Sequence, residues 1–148
     1  MKPNEVKALQ DIEVYGCHIL HVLAEDDSPP FCYSMGIEKC TGQPELIITG
    51  LKRELTHGII NEYNNRIKNG ETFEADRYYD GFLKGFPVLF KKVDRLHYAE
   101  YFGWAQWLYG RDHFSALQLI YPTTAGVWPW EAKAIDSYLK MLPRLYRV

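Results

Sequence analysis

The sequence contains no long hydrophobic run and little cysteine. No apolar stretch approaches the ~20 consecutive residues that a membrane-spanning helix needs, and the first five residues lead into no signal-peptide core. Only three cysteines occur among 148 residues, which fits a reducing compartment in which thiols stay free. These absences predict a cytoplasmic protein with no membrane partner.

The cysteines and histidines also lack the spacing of a metal site. Zinc needs four converging ligands, usually at short spacing, and the sequence has neither C-x-x-C nor H-x-x-x-H. Cys17 and His21 are four residues apart on a predicted strand, whereas Cys32 and Cys40 bracket a loop. We therefore expect three free thiols, no bound metal and no cofactor, with Cys17 and Cys32 buried as small hydrophobic residues.

Neither sign of charge is in excess. The 17 basic and 19 acidic residues give a formal net charge of −2, so the chain as a whole offers no electrostatic attraction for DNA or RNA. The glycine-bearing segment 81–85 lacks the strand–turn–helix context of a phosphate-binding P-loop. We therefore expect no nucleic-acid partner.

What the chain does contain is apolar and aromatic residues. Hydrophobic residues make up 47% of the sequence and aromatic residues 15%, with 11 tyrosines, a composition typical of folded globular proteins. A chain of 148 residues suits one domain. We predict one compact domain over residues 1–148, with many tyrosines at the core boundary or along a groove.

Periodicity divides this domain into helices and strands. Apolar runs predict strands over about residues 17–23, 31–37, 45–51, 86–93 and 114–121. Helical spacing predicts helices over about residues 4–16, 53–69, 98–109 and 131–142. Residues 40–44 are predicted as a loop, and residues 71–85 as a loop or a weak strand pair. Tight turns between strands favour an α+β domain, with an antiparallel or mixed sheet of about five strands packed with helices.

The apolar faces of the central strands and of two helices are predicted to form one core. Its expected members are Leu46, Ile48, Ile59, Tyr63, Phe102, Leu117 and Leu119. This core requires the helix over residues 53–69 to lie on the sheet.

Two polar residues stand out because they occur in apolar strands. Gln118 lies either on a half-solvated face or buried and hydrogen-bonded. Glu45 opens a strand just after Pro44, where its carboxylate either caps backbone N–H groups or points into a pocket. A nucleophile–base dyad is also geometrically feasible among neighbouring strand residues, although no nucleophile-elbow pattern occurs. Its candidate members are Cys17, Cys32, Ser34, His18 and His21.

Two tryptophans flank a proline in the segment Gly126-Val127-Trp128-Pro129-Trp130, directly after the last predicted strand. A tryptophan buries a large area, and its indole N–H needs a hydrogen-bond partner. This cluster therefore either closes a core or forms the wall of a pocket.

Five motifs in order resemble the bacterial family known as domain of unknown function 4262. They are Tyr15-Gly16-Cys17-His18-Ile19, Pro30 to Ile37, Gln43 to Ile47, Leu117 to Pro122, and Gly126-x-x-Pro129-Trp130. The resemblance extends over about residues 11–131 and is followed by the predicted helix at 131–142. The family commonly has Trp at position 17, Thr at position 34 and Asp at position 123, where this chain has Cys, Ser and Thr.

The resemblance implies a small bacterial cytoplasmic domain, and it carries no known activity. It also implies a set of recurring polar and aromatic positions, which we predict to be ligand-binding: His18, Tyr33, Glu45, Gln118 and Trp130. Strand alternation allows the polar members to share one face of the sheet, with Trp130 as a wall.

Three functional hypotheses follow. The first is a binding module for a protein or a small ligand, such as an immunity- or defence-type accessory protein, because aromatic residues dominate binding hot spots. The alternative is a small hydrolase or transferase with a pocket around His18, Tyr33, Glu45 and Gln118. The third is a homo-oligomeric structural unit. A deep polar pocket with a shifted pKa favours the enzyme, an aromatic patch favours the binding module, and a large apolar self-interface favours the oligomer.

Overall fold

The computed structural model describes all residues, 1–148, and contains six strands and six α-helices. The strands are β1 His18–Val22, β2 Phe31–Met35, β3 Glu45–Thr49, β4 Tyr78–Leu83, β5 Phe86–Lys92 and β6 Ala116–Ile120. The helices are α1 Pro3–Tyr15, α2 Ile37–Thr41, α3 Arg53–Lys68, α4 Tyr98–Tyr101, α5 Gly103–Tyr109 and α6 Asp136–Met141, with a 3₁₀ turn at Arg95–His97 before α4.

All six strands form one mixed sheet in the order β1-β2-β3-β6-β5-β4. The central pair, β3 and β6, is parallel, and the other neighbours are antiparallel. The predicted α+β class is therefore confirmed. The strand beyond the predicted five is β4, which pairs with β5 through a tight turn containing Gly85 at φ +82°.

Each face of the sheet carries its own apolar core. One core contains Ile59, Ile60 and Tyr63 of α3, packed against Leu46 and Leu119. Thus the helix predicted at 53–69 does lie on the sheet. The other core contains apolar side chains of α1, α4 and α5 packed against strand residues such as Tyr33 and Ile47.

The single predicted core is therefore corrected to two. Phe102 belongs to the second core, packed edge-on against Tyr33 with ring centroids 5.1 Å apart. The other six predicted members lie together in the first core. Because the sheet separates the two clusters, an apolar stripe on a helix indicates burial but not the face of the sheet that it covers.

Three predicted segments also change. The helix predicted at 98–109 is interrupted at Phe102, whose φ of −118° and ψ of 38° are not helical, just before helix-weakening Gly103. The helix predicted at 131–142 is shortened to Asp136–Met141, because Ile135 is extended. The loop predicted at 40–44 is partly replaced by the short helix α2.

None of the helices is long and apolar enough to cross a membrane.

Candidate functional site

Four of the five predicted site residues share one face of the sheet. Tyr33 pairs with Ile47, which pairs with Gln118, and Glu45 is two residues before Ile47 on the same strand. His18 reaches this face from the edge strand β1, because it is two residues before Leu20, the partner of Tyr33. Three strand spacings separate His18 from Gln118, which is roughly 14 Å. The structure therefore does not bring these two side chains together.

Glu45 is fully buried and caps the amino end of α2. Its carboxylate accepts hydrogen bonds from the backbone N–H groups of Gly36 at 3.0 Å, Ile37 at 3.2 Å and Glu38 at 3.1 Å. Two hydroxyl groups, from Ser34 at 2.8 Å and from Tyr109, also donate to it. Of the two roles left open for Glu45, the structure shows capping of backbone N–H groups.

The electrostatic state of Glu45 follows from this shell. Burial raises the pKa of its carboxyl group to about 7, against the lowering effect of the donors around it. No lysine or arginine forms an ion pair with it. The group therefore titrates near neutral pH while it holds three segments of the chain together.

Two sequence motifs meet at this carboxylate. Ser34 donates to Glu45 and also accepts a hydrogen bond from the N–H of Leu46 at 2.9 Å. Gly36 has a φ of +107°, and a Cβ there would lie 2.7 Å from Ile12. The segments Ser34-x-Gly36 and Pro44-Glu45, which belong to two of the five family motifs, thus have a structural explanation. A threonine at position 34 would supply the same hydroxyl group.

Gln118 is also fully buried, and its amide is bonded to the chain after α6. Its Nε2 donates to the carbonyl of Pro143 at 2.7 Å, and its Oε1 accepts from the N–H of Leu145 at 3.1 Å. We refer to residues 142–148 as the C-terminal tail. Gln118 therefore fixes the position of this tail on the sheet.

The remaining polar predictions have separate partners as well. The hydroxyl of Tyr33 accepts a hydrogen bond from the N–H of Trp104 at 3.1 Å. His18 Nδ1 lies 2.8 Å from the Asp11 carboxylate, which also binds Lys7 at 2.6 Å. No hydrogen bond joins any two of the five predicted residues, and a ligand-binding role for His18, Tyr33, Glu45 and Gln118 stays a prediction.

His18 lines a cavity of about 300 Å³ at the outer edge of β1, which we call the edge cavity. Its wall also includes Asp11, Cys17, His57 and Asn61. Burial raises the pKa of Cys17 to about 12, so this sulfur is a thiol and not a thiolate nucleophile at neutral pH. The edge cavity therefore has an oriented imidazole but no activated cysteine.

Trp130 lines a second and larger cavity, of about 570 Å³, which we call the tail groove. Its other apolar surface comes from Pro129, Leu139, Leu142, Tyr146 and Val148, and three cations border it: Lys91, Arg144 and Arg147. Trp130 stacks on Trp128 with ring centroids 5.4 Å apart and planes 8° from parallel, yet 49% of it is exposed. Part of its indole surface is therefore available to a ligand.

The loop that presents Trp130 is fixed by its own hydrogen bonds. Thr123 Oγ1 accepts from the N–H of Val127 at 3.0 Å, and Glu131 accepts from the N–H of Trp128 at 2.6 Å. The ring of Tyr78 packs edge-on against Trp128 at 5.3 Å. An aspartate at position 123 would accept the same hydrogen bond as the threonine, which accounts for this departure from the family pattern.

The opposite wall of the tail groove is the tail itself, and it is anchored at several points besides Gln118. Thr49 Oγ1 donates to the carbonyl of Met141 at 2.9 Å, just before the tail. The N–H of Asp94 donates to Leu145 O at 2.8 Å, and the Asp94 carboxylate pairs with Arg147 at 2.5 Å. No sequence pattern indicates Tyr146 or Leu139 as lining residues, because the path of the tail depends on these long-range contacts.

Comparison with known proteins adds one finding. Residues 11–135 match the family described as Domain of unknown function (DUF4262). Neither the curated proteins nor the solved structures contain a significant match. The match spans most of the chain, including the sheet and the Trp128–Trp130 loop, and stops before α6 and the tail.

Proposed function

The chain belongs to the DUF4262 family, and because no activity comes with that membership, we propose from the geometry that it is a binding module for a small ligand with a planar apolar ring. The ring would lie on the exposed surface of Trp130 in the tail groove. The observation that carries this proposal is Trp130 itself, which is stacked on Trp128 but remains 49% exposed beside an apolar floor.

The tail groove has the properties of a ligand site. Its volume of about 570 Å³ is within the range of small-molecule pockets. A ring stacked on an indole contributes about 1–3 kcal/mol by alanine substitution. The hydrogen bonds of the loop and of the tail hold both walls in place before binding, which reduces the entropy cost of ligand capture.

The same geometry favours binding over catalysis. No aspartate, glutamate, histidine or cysteine side chain lines the tail groove, and its lysine, Lys91, is already paired with Asp76 at 2.6 Å, so Tyr146 is its one remaining general base or nucleophile of the usual kinds. Glu45 and Gln118 are fully buried and their polar atoms are bonded within the protein. The strongest support for the enzyme alternative is the Asp11–His18 pair in the edge cavity.

That alternative has its own test. Asp11 can orient His18 as a general base, in the way that carboxylates orient imidazoles in catalytic triads. A hydrolase of this kind would hydrolyse an activated ester, and the His18→Gln variant would lose that activity. We expect no difference between the two proteins. The immunity- or defence-type role, a protein or homo-oligomeric partner, the bacterial source and the cytoplasmic location stay predictions.

The binding proposal is tested by NMR with a set of planar-ring fragments and isotope-labelled protein. We expect the fragment-induced shifts to cluster on the Trp130 indole N–H and on the amides of Leu142 and Tyr146. The Trp130→Ala variant should lose about five- to 150-fold in affinity, as stacking energies of 1–3 kcal/mol imply.

Trp107→Ala is the matched control. Trp107 is exposed to a similar extent, 42%, and also packs against another tryptophan, Trp104, at 5.7 Å. This variant should bind the fragments as the unaltered protein does. Shifts that cluster in the edge cavity, or equal losses in both variants, would contradict the proposal.

A further inference from the structure

The tail groove continues into a second cavity of about 350 Å³, which we call the basic cleft. Lys91, Tyr146 and Arg147 line both cavities. Tyr146 is therefore at the boundary between an apolar compartment and a charged one. A ligand that occupies both must have an apolar part and a polar part joined by a short connection.

The basic cleft has more positive than negative charge. Its lining contains four cations, Lys91, Lys92, Arg95 and Arg147, and two carboxylates, Asp76 and Asp94. Both carboxylates are already paired within the protein, Asp76 with Lys91 at 2.6 Å and Asp94 with Arg147 at 2.5 Å.

Two cations keep their charge available for a ligand. Lys92 is exposed and forms no ion pair, and exposed Arg95 makes only long contacts through Nε with Asp112, 3.6 Å to its carboxylate and 3.4 Å to its backbone carbonyl. On the other side of Tyr146, Arg144 is exposed at the border of the tail groove and is also without an ion pair. Lys92 and Arg95 therefore make the basic cleft complementary to an anion beside a planar ring in the tail groove, and Arg144 adds positive charge at the border of that groove.

We propose that the ligand is a mononucleotide, with its base on Trp130 and its phosphate in the basic cleft near Lys92 and Arg95. The proposal rests on the proposed function, because it assigns the planar ring to the same groove. Guanidinium and ammonium groups are the usual partners of phosphate, and aromatic side chains stack on any nucleobase. A sugar between base and phosphate provides the short connection past Tyr146.

The size of the two cavities favours a small molecule over an acidic peptide. Their volumes, about 350 Å³ and about 570 Å³, are those of small-molecule pockets. An acidic peptide, which would also carry negative charge into the basic cleft, is the alternative ligand that the binding experiment below must exclude.

The test compares adenosine 5′-monophosphate, adenosine and inorganic phosphate as probes, by calorimetry at low and at physiological salt. We expect the nucleotide to bind at least about tenfold more tightly than adenosine. This advantage should shrink as salt is added, because the cations are exposed and screened. Inorganic phosphate alone should bind more weakly than the nucleotide, since it does not reach Trp130.

Charge variants locate the phosphate. Lys92→Glu should remove the advantage of the nucleotide over adenosine and leave adenosine affinity unchanged. Lys84→Glu is the matched control, because Lys84 is an exposed lysine in the β4–β5 turn and lines neither cavity. It should leave both affinities unchanged.

The outcomes separate the two proposals. If planar fragments bind at Trp130 but the nucleotide is no better than adenosine, or if neither nucleoside nor nucleotide binds, the phosphate assignment is wrong and the binding module stands. If a glutamate-rich peptide binds more tightly than the nucleotide, the ligand class is wrong. If no planar fragment binds at Trp130, the proposed function itself fails.

Discussion

Removal of the Gln118 side chain should loosen the C-terminal tail and with it one wall of the tail groove. In the Gln118→Ala variant, the carbonyl of Pro143 and the N–H of Leu145 lose their side-chain partner. A buried backbone group without a partner costs about 1–3 kcal/mol. With the lost packing of a fully buried side chain, we expect the free energy of unfolding to fall by about 3–5 kcal/mol, a large part of a domain's usual 5–15 kcal/mol.

The tail has a second way to respond to this change. If it detaches, water satisfies its backbone groups, but Leu142 and Leu145 become exposed, and each costs about 1.5–3 kcal/mol. Both leucines are at most 5% exposed in the folded protein. Leaving the two backbone groups unpaired and detaching the tail therefore cost similar amounts of free energy. The variant should thus populate a state in which the tail is open and the rest of the protein is folded.

Two measurements test this reasoning. Urea unfolding gives the loss of stability, and native-state hydrogen exchange at the Leu145 amide reports the opening of the tail. Gln10→Ala, at an exposed position of α1, is the control and should change stability by less than about 0.5 kcal/mol. A loss below about 1 kcal/mol for Gln118→Ala, with the Leu145 amide still protected, would refute the anchoring role.

Three further predictions concern the fold. Gly50→Ala should displace α6 and the tail, because a Cβ at this position would lie 2.3 Å from the carbonyl oxygen of Met141; Gly58→Ala, with open space around it, should not destabilise the protein in urea. Because burial raises the pKa of Glu45 to about 7 from 4.5, the folded protein holds this proton more tightly than the unfolded chain. The free energy of unfolding should thus fall by about 3 kcal/mol between pH 4.5 and pH 8, and the Glu45→Gln variant should lack that part of the slope. Thiol labelling should modify only exposed Cys40 in the folded protein, and all three cysteines after denaturation; slow labelling of Cys40 would contradict its exposure.

Local patterns in the sequence were sufficient for the elements that they encode directly. The apolar stripe of α3, with Ile59, Ile60 and Tyr63, predicts both the helix and its packing, because helical spacing alone places these residues on one face. For Glu45 and Gln118, the sequence predicted the right pair of alternatives but could not decide between them. The deciding contacts come from residues 36–38 for Glu45 and from residues 143–145 for Gln118.

What the sequence could not predict depends on contacts far apart in the chain. The break at Phe102 occurs in a segment with continuous helical spacing, and the division into two cores depends on which face of the sheet each helix covers. The tail groove depends on a loop at residues 128–130 and on the path of residues 142–148. No spacing rule connects these two segments, so only Trp130 of that site was predicted.

The order of strands has a consequence for how the protein folds. Strands β1 to β3 and strands β4 to β6 are each consecutive antiparallel runs, and they join only through the parallel pair β3–β6. Pairing β3 with β6 closes a longer loop than pairing consecutive strands within either run, and therefore has a larger entropy cost. We expect this pairing to form late in folding. The segment that contains Met141 and Pro143 hydrogen-bonds to both strands of this parallel pair, to Thr49 on β3 and to Gln118 on β6. A ligand in the tail groove would therefore bind only molecules in which the two runs have already joined, and would slow their separation.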